Sequence, residues 1–320
     1  MSGADRWQFR LFGPFEVRRG GELIASGGGK RRAVLAVLLL SPNTAVSAGR
    51  IRDLIWGEQA PPSVFNLIQG YVSDWRSLLT PDRAARASGG RLLSTGTGYR
   101  LRVDTDECDL LRFGALADAG ALAAADDPRR ARTLLNDALQ LRRGPALMDF
   151  VADCLEPAAA AIEERWKSVL TSAAEIELRL DRPDQALALL EPVMRDRPAR
   201  EDLIAVAMTA LYRSGRSADA LTMYEQTRAA LADGLGVDPS PALRSLHLRI
   251  LREDPLLQLP VEAPTVTARA PRPLSSFRGR ERELTQVVEL TAANRLVTLT
   301  GTGGCGNTNA GMVVMVVRRG

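Results

Sequence analysis

The sequence of 320 residues predicts an α+β domain followed by an all-α domain. Three observations support this fold class. Short runs with alternating apolar residues lie at 7–24 and 91–103, and such alternation is typical of β-strands. Apolar residues at helical spacing fill the stretch between these runs and then residues 104–253. Within the second helical stretch a pattern recurs after 34 residues, which is the period of tetratricopeptide helix pairs.

Composition places the chain among ordinary globular proteins, with 45% hydrophobic and 25% charged residues. No stretch approaches the ~20 apolar residues of a membrane span, and the N-terminus lacks the apolar core of a signal peptide. The cysteines Cys108, Cys154 and Cys305 lie far apart without metal-ligand spacing. The single histidine, His247, argues against histidine-based catalysis or metal binding. We therefore expect a cytoplasmic protein that is not an enzyme and holds no metal or cofactor.

The charge is distributed unevenly along the chain. Residues 1–103 carry 15 Lys and Arg against 7 Asp and Glu, whereas residues 104–253 carry 19 against 26. A basic first domain beside an acidic second domain indicates that only the first faces a polyanion. Basic surface is also common in proteins of high pI, so charge alone does not decide the function.

The first domain is predicted to contain a small antiparallel sheet, three helices and a closing hairpin. Gly-Pro and Gly-Gly pairs supply the turns of the sheet. The first helix is predicted from Lys30 to Leu40. Ser47 can cap the second helix, because its hydroxyl can accept a hydrogen bond from a free backbone N–H, and Gly57 ends that helix. This order of elements defines a winged helix with an extra N-terminal sheet.

Residues 61–80 form the third helix, and we interpret them as the segment that reads DNA. Two prolines open the helix, where the N–H that proline lacks would be unpaired anyway. The apolar side chains recur at three- and four-residue steps and build one face: Val64, Leu67, Ile68, Tyr71, Trp75, Leu78 and Leu79. The polar side chains fall largely on the other side and are of the kind that reach base edges and phosphates: Ser63, Asn66, Gln69, Ser73 and Arg76. An ordinary amphipathic surface helix would show the same pattern.

Two further groups are candidates for phosphate contacts. Lys30, Arg31 and Arg32 lie in the first turn of the first helix, where the helix dipole disfavours cations, so a phosphate partner or a solvated charge cluster would account for them. The second group lies on the hairpin and consists of Arg91, Thr95 and Thr97.

The second domain is predicted to be helical throughout. Glycine and proline breakers divide residues 104–253 into seven helices. The 34-residue repeat relates three pairs of residues: Arg182 with Arg216, Ala186 with Ala220, and Leu187 with Leu221. Small residues at such positions let paired helices pack closely. An array of this kind offers an interaction surface rather than a reaction centre.

The C-terminal part contains a Pro-rich linker at 254–276 and then, within 277–320, a degenerate phosphate-binding loop. The loop keeps two glycines, a hydroxyl that could hold Mg²⁺, and asparagine at the lysine position: Gly301, Gly306, Thr308 and Asn307. Asparagine has no cation for the β- and γ-phosphates. The final MVVMVVRRG predicts a strand instead of the helix that should follow such a loop.

Several segments resemble known families. GKRRAVLAVLLL, LIWGEQAPP and TGTGYRL resemble the OmpR-type DNA-binding domain of the Streptomyces antibiotic regulatory protein (SARP) family. LYRSGRSADALTMY and LGVDPSPALRSL resemble its bacterial transcriptional activator domain, so the resemblance covers roughly residues 7–253. It implies that 61–80 enters the major groove and that 91–101 lies along the minor groove. Asp74 departs from the family, because a cation is expected there, and this puts base contact by Asp74 in doubt.

FRGREREL and the degenerate loop resemble the opening of the NB-ARC ATPase domain of large family members. We expect residues 277–320 to be a remnant of a truncated or frame-shifted ATPase domain that does not bind nucleotide.

The resemblance implies a sequence-specific transcriptional activator of a secondary-metabolite (antibiotic) gene cluster. Its expected partners are double-stranded promoter DNA, bound at direct repeats near the −35 region by a dimer or tandem protomers, and RNA polymerase holoenzyme through σ, with α and β as further candidates. We expect it to be associated with the nucleoid. Two alternatives remain open from the residues: a nucleotide-regulated switch ATPase, or a tetratricopeptide scaffold that does not bind DNA.

Overall fold

The computed structural model describes residues 6–80, 90–150, 155–194 and 200–258, together with the backbone of two strands at 296–299 and 314–317. The chain forms two compact units, Met1–Ala263 and Pro264–Gly320. The degenerate phosphate-binding loop predicted at Gly301, Gly306, Asn307 and Thr308 lies outside the described residues.

The N-terminal sheet is antiparallel and consists of β1 (Trp7–Arg10), β2 (Glu16–Arg19) and β3 (Glu22–Leu23) in that order. The alternation in the sequence decides which face is buried. Phe9 and Val17 pair across the first two strands, and both are fully buried.

Three helices follow: α1 (Gly29–Leu40), α2 (Ala48–Trp56) and α3 (Val64–Leu79). The signals at the ends of α2 act as the sequence predicts. The Ser47 hydroxyl accepts a hydrogen bond from the Arg50 backbone N–H at 3.1 Å, and Gly57 ends the helix at a φ of 54°. The three helices pack against one another, and their buried side chains form the core of the winged helix.

A second sheet closes the winged helix and contains a strand that the sequence did not predict. β4 (Ala45–Ser47) pairs with β6 (Gly98–Leu101), which pairs in turn with β5 (Leu92–Thr95). The two strands of the hairpin are where the sequence places them. β4 lies so close to Gly98 that a Cβ atom there would be 2.1 Å from the carbonyl oxygen of Val46. Glycine is therefore required for β4 to join the sheet.

The helical domain contains seven helices in the described residues after 104, and they match the predicted segments: α4 (Asp109–Ala123), α5 (Pro128–Leu139), α6 (Glu156–Arg179), α7 (Pro183–Met194), α8 (Glu201–Arg213), α9 (Ser217–Leu235) and α10 (Pro241–Leu251). Each helix packs against the next along the chain. Ala186 and Ala220, which the repeat relates, are both fully buried. This is the close helix pairing of a tetratricopeptide-like array.

Each of the two domains of the first unit inserts an aromatic side chain into the core of the other, and we call this contact between the domains the joint. Phe12, from the segment between β1 and β2, packs edge-on against Phe113 of α4 with ring centroids 5.2 Å apart. In return, Phe150 of the helical domain packs edge-on against Phe15, also at 5.2 Å. The hydrophobic core of the winged helix therefore contains residues from the helical domain, and the helical core contains Phe12.

Backbone and carboxylate contacts reinforce the joint. The Arg143 N–H donates to the Phe12 carbonyl at 2.9 Å, and the Leu147 N–H donates to the Leu11 carbonyl at 2.8 Å. The Asp109 carboxylate, at the first residue of α4, accepts from the backbone N–H groups of Leu11 and Phe12 at 2.9 Å. These hydrogen bonds link the two domains, and an isolated domain could not form them.

The second unit contains an antiparallel pair, β7 (Leu296–Leu299) and β8 (Val314–Val317). The strand β8 lies where the sequence predicts extended structure. Among the helices of the described residues, none is both long and apolar enough to span a bilayer.

Candidate nucleic-acid interface

α3 buries one stripe of apolar side chains against the rest of the winged helix: Val64, Ile68, Val72, Trp75 and Leu79. The predicted apolar face differs at its edges. Leu67 is exposed, whereas Tyr71 and Leu78 are half-buried. Val72, which was not among the predicted positions, completes the stripe because it lies one turn beyond Ile68 on the same side of the helix.

The outward face of α3 carries hydrogen-bonding groups that are almost all uncharged. Ser63, Asn66, Gln69 and Ser73 are exposed, as the sequence predicts, and Gly70 lies among them with open space where a Cβ atom would be. Side-chain amides and hydroxyls can donate to and accept from base edges in the major groove. The exposed apolar side chains Phe65 and Leu67 adjoin this face.

Arg76, which the sequence analysis selected for the groove, also has partners within the protein. Its Nε donates to the carbonyl of Leu92 at 2.9 Å, and its Nη2 donates to the hydroxyl of Ser94 at 3.0 Å. Both acceptors belong to β5. Arg76 therefore positions the hairpin against α3.

The cations at the start of α1 also have partners within the protein, and their contact with phosphate stays a prediction. Lys30 Nζ donates to the carbonyl of Ile55 at 2.8 Å, near the C-terminal end of α2, and lies 5.8 Å from the ring centroid of Trp56. A helix C-terminus favours a cation, so α2 compensates for the unfavourable dipole of α1.

Arg31 and Arg32 are held in a similar way. The Arg31 guanidinium lies 5.0 Å from the ring centroid of Trp75, with its Nε 3.8 Å from an Asp74 carboxylate oxygen. Asp74, the acidic residue of α3 that departs from the family pattern, therefore lies beside Arg31 of α1. Arg32 forms an ion pair with Asp149 of the helical domain. These contacts make the cluster part of the packing between elements.

On the hairpin, Arg91 is engaged as well. Its two terminal nitrogens donate to the two carboxylate oxygens of Glu107 at 2.6 and 2.7 Å. Glu107 is buried, so Arg91 holds the base of the hairpin to the start of the helical domain. Thr95 Oγ1 is buried without a hydrogen-bond partner, whereas Thr97 is exposed at the turn. The Thr97 carbonyl accepts from the Ala48 N–H at 3.1 Å, so the hairpin turn meets the first turn of α2.

Three arginines that the sequence analysis did not select have free side chains. Within the described parts of the winged helix, residues 6–80 and 90–103, only Arg50, Arg100 and Arg102 among the Lys and Arg side chains make no hydrogen bond, ion pair or ring contact. Arg100 and Arg102 share one face of the hairpin because they are two residues apart in an extended strand. In the sequence, Arg100 and Arg102 alternate with Tyr99 and Leu101, and this alternation could have identified them as outward-facing residues of the strand.

The joint beside this surface contains two buried ionisable groups. Burial raises the pKa of the Cys108 thiol to about 12, so this cysteine stays protonated and unreactive. Burial also raises the pKa of Asp109 above its ordinary value, despite the backbone N–H donors and the nearby Arg143 guanidinium. Both groups therefore serve the packing of the joint.

Comparison with known proteins agrees with this architecture. The family described as "Bacterial transcriptional activator domain" matches residues 108–251. The regulatory protein AfsR of Streptomyces griseus is 35% identical over 318 residues, which cover 95% of this chain and 32% of AfsR. The transcriptional regulator RedD of Streptomyces coelicolor is 35% identical over 79% of this chain and 73% of RedD. This chain thus spans about a third of the length of the AfsR protein, 32%.

A solved structure of EmbR from Mycobacterium tuberculosis, in complex with a low affinity phosphopeptide, superimposes with a TM-score of 0.72. It is 37% identical and covers 78% of this chain and 66% of that chain. AfsR, RedD and EmbR are named as regulatory proteins, and the similarity in sequence and fold places this chain in the same class, the transcriptional regulators. Within that class, the chain belongs to the SARP family.

Proposed function

We propose that this chain is a sequence-specific DNA-binding activator of transcription. The observation that carries the proposal is the outward face of α3, where Asn66, Gln69 and Ser73 are exposed. The neighbouring elements, α2 and the hairpin, carry the unpaired arginines Arg50, Arg100 and Arg102. Uncharged hydrogen-bonding groups read base edges, whereas arginines neutralise phosphates. The division of these two residue types over adjacent surfaces supports a DNA interface rather than an ordinary solvated helix.

The proposed complex places α3 in the major groove and the hairpin along the adjacent minor groove. Arg50, in the first turn of α2, would contact the backbone beside the major groove. Arg100 and Arg102 would contact the backbone, or the minor groove itself, from the hairpin. Ser63 and Thr97, at the ends of the two elements, would add backbone contacts because both are exposed. Arg76 and Arg91 would act indirectly, by holding the hairpin at the required angle.

The helical domain would provide the contact with protein. Its excess of acidic residues disfavours DNA and leaves its surface available for RNA polymerase, for which σ is the first candidate. Two protomers in tandem on direct repeats near the −35 region need half-sites about 10 to 11 base pairs apart, or a multiple. Such a head-to-tail contact uses two different surfaces. The target would be a secondary-metabolite gene cluster, read in the cytoplasm at the nucleoid.

The experiment compares the salt dependence of DNA binding in two variants of the full chain. The probe is the DNA upstream of the chain's own gene. The variant R50A/R100A/R102A removes three cations that form no hydrogen bond, ion pair or ring contact with the described residues, so its melting temperature should stay close to that of the wild type. Its salt slope should fall by roughly 2.7, because each phosphate contact contributes about 0.9.

The matched control is Arg6→Ala, which removes a cation of the same domain that is exposed and paired with exposed Asp106. The control should leave the slope unchanged. Equal slopes for the triple variant and the wild type would exclude these arginines from the interface. Absence of any sequence-dependent binding by the wild type would reject the proposed function.

A further inference from the structure

The helical domain contains a polar pocket of about 540 Å³ between α5, the end of α6 and α7. Its polar lining is contributed by Arg132, Asn136 and Asp137 of α5, Glu177 of α6, Arg182, and Gln185 of α7. The pocket lies where α5 meets the first copy of the 34-residue repeat, in a part of the chain that the proposed DNA interface does not use. A volume of this size is typical of small-molecule sites.

Glu177 lines the pocket with a carboxylate that is 4% exposed. Its Oε2 has no hydrogen-bond donor. Arg182 Nε lies 3.1 Å from the same oxygen, so the charge is compensated, but the N–H is not aligned to donate to it. A buried carboxylate oxygen without a donor costs free energy, and this cost persists unless a group from outside supplies the hydrogen bond.

The two copies of the repeat differ at the position of this glutamate. Thirty-four residues later, the position of Glu177 is occupied by Leu211, which is buried. The position of Gln185 is occupied by Asp219, which accepts a hydrogen bond from Arg216, the counterpart of Arg182. In the first copy, Arg182 therefore pairs with Glu177 in the pocket. In the second copy, Arg216 pairs with the exposed Asp219.

The charges around the pocket indicate the kind of ligand. Among the described residues, the side chains of Arg132 and Asp137 have no hydrogen-bond or ion-pair partner. With Glu177 and Arg182, the lining holds two cations and two anions, which disfavours a polyanion or a polyamine. The amides of Asn136 and Gln185 can both donate and accept, as a peptide bond requires.

We propose that this pocket binds a small zwitterionic ligand of dipeptide size. The ligand's ammonium group takes the place of the partly exposed Arg182 guanidinium beside Glu177 Oε2 and donates to this oxygen, and its carboxylate pairs with the Arg132 guanidinium. The peptide bond lies between Asn136 and Gln185, and an apolar side chain contacts Leu189 on the pocket wall. The ligand thereby supplies the donor that the Glu177 carboxylate lacks.

The test is calorimetric titration of the full chain with the dipeptide alanyl-leucine. We expect saturable binding at millimolar concentrations or below. N-acetyl-alanyl-leucine lacks the ammonium and alanyl-leucinamide lacks the carboxylate, so neither should bind. Glu177→Gln keeps the shape and removes the charge, and Arg132→Gln removes the cation; each should weaken binding at least tenfold. Arg129→Ala, on an exposed residue of the same helix outside the pocket lining, should leave the affinity unchanged.

A second variant separates loss of the site from loss of the fold. Glu177→Leu restores the residue found at Leu211 and should raise the melting temperature while abolishing binding of the dipeptide. Failure of alanyl-leucine to bind the wild type, or undiminished affinity in the Glu177→Gln variant, would overturn the proposal. Neither result depends on DNA binding.

Discussion

Asp109 allows a quantitative test of the joint between the domains. Its carboxylate accepts from the Leu11 N–H at 2.9 Å, the Phe12 N–H at 2.9 Å and the Leu110 N–H at 2.8 Å. The Asp109 side chain is 8% exposed, so water cannot replace it. In the Asp109→Ala variant, the N–H groups of Leu11 and Phe12 lose their acceptor. An unsatisfied buried donor costs about 1–3 kcal/mol, so we expect the two donors together to lower the free energy of unfolding by roughly 2–6 kcal/mol.

Urea denaturation of the full chain measures this loss. The control is Asp118→Ala, which removes a carboxylate of the same helix that is 76% exposed and pairs with Arg165. A pair of this kind contributes about 1 kcal/mol or less, so the control should remain close to the wild type. A loss below about 1 kcal/mol for Asp109→Ala would show that water or a neighbouring group replaces the carboxylate, and the reasoning would fail.

The pH dependence of the same variant adds an independent check. Burial raises the pKa of Asp109 above its ordinary value of 3.8, so the folded chain holds this proton more tightly than the unfolded chain. The stability that the raised pKa contributes is complete below the unfolded pKa and is lost as the pH rises through the folded pKa. The difference in stability between the wild type and Asp109→Ala should therefore narrow as the pH rises from about 4 towards neutrality. A difference that widens over this range would contradict the direction of the pKa shift.

Three further predictions concern other parts of the chain. Gly70→Ala should stabilise α3 by about 0.5–1 kcal/mol and yet weaken binding to operator DNA, because the new methyl group lies on the proposed groove side. The control is Gly234→Ala, in open space on α9, which should stabilise the chain without changing its affinity for DNA. Equal DNA affinity in the two variants would refute the placement of Gly70 at the groove. Gly120→Ala should lower the melting temperature, because a Cβ atom there would be 2.7 Å from Leu135 Cδ2; an unchanged melting temperature would show that the leucine moves aside. Deletion of residues 277–320 should leave DNA affinity unchanged, and the intact chain should hydrolyse no ATP; a measurable turnover would restore the ATPase alternative.

The features that the sequence predicted well are those that depend on neighbours in the chain. Ser47 caps α2 through a backbone group three residues away, and the hairpin forms around a two-residue turn. The helical segments carry their own periodicity and end at glycine or proline. β4 escaped prediction because three residues are too few to show alternation, and its partner Gly98 lies in a distant segment.

The sequence could not show which charged residues have protein partners when those partners come from other elements. Arg76 and Arg91 have the side chain that a phosphate contact requires, but their acceptors lie 16 residues away in sequence and become visible only in the folded chain. Arg100 was overlooked although its strand was predicted correctly. An arginine in a basic domain is therefore a weak indicator of a nucleic-acid contact until its protein partners are known.

The exchange of Phe12 and Phe150 across the joint bears on how such regulators can be recombined. A chimera joined at residue 103 would bring together an N-terminal sheet and a helical domain from different parents, and each aromatic ring would enter a cavity shaped for another side chain. A graft of α3 alone would leave both rings in their own surroundings. Exchange of the exposed residues of α3 should therefore transfer DNA specificity between relatives. Exchange of whole domains should instead produce poorly packed hybrids.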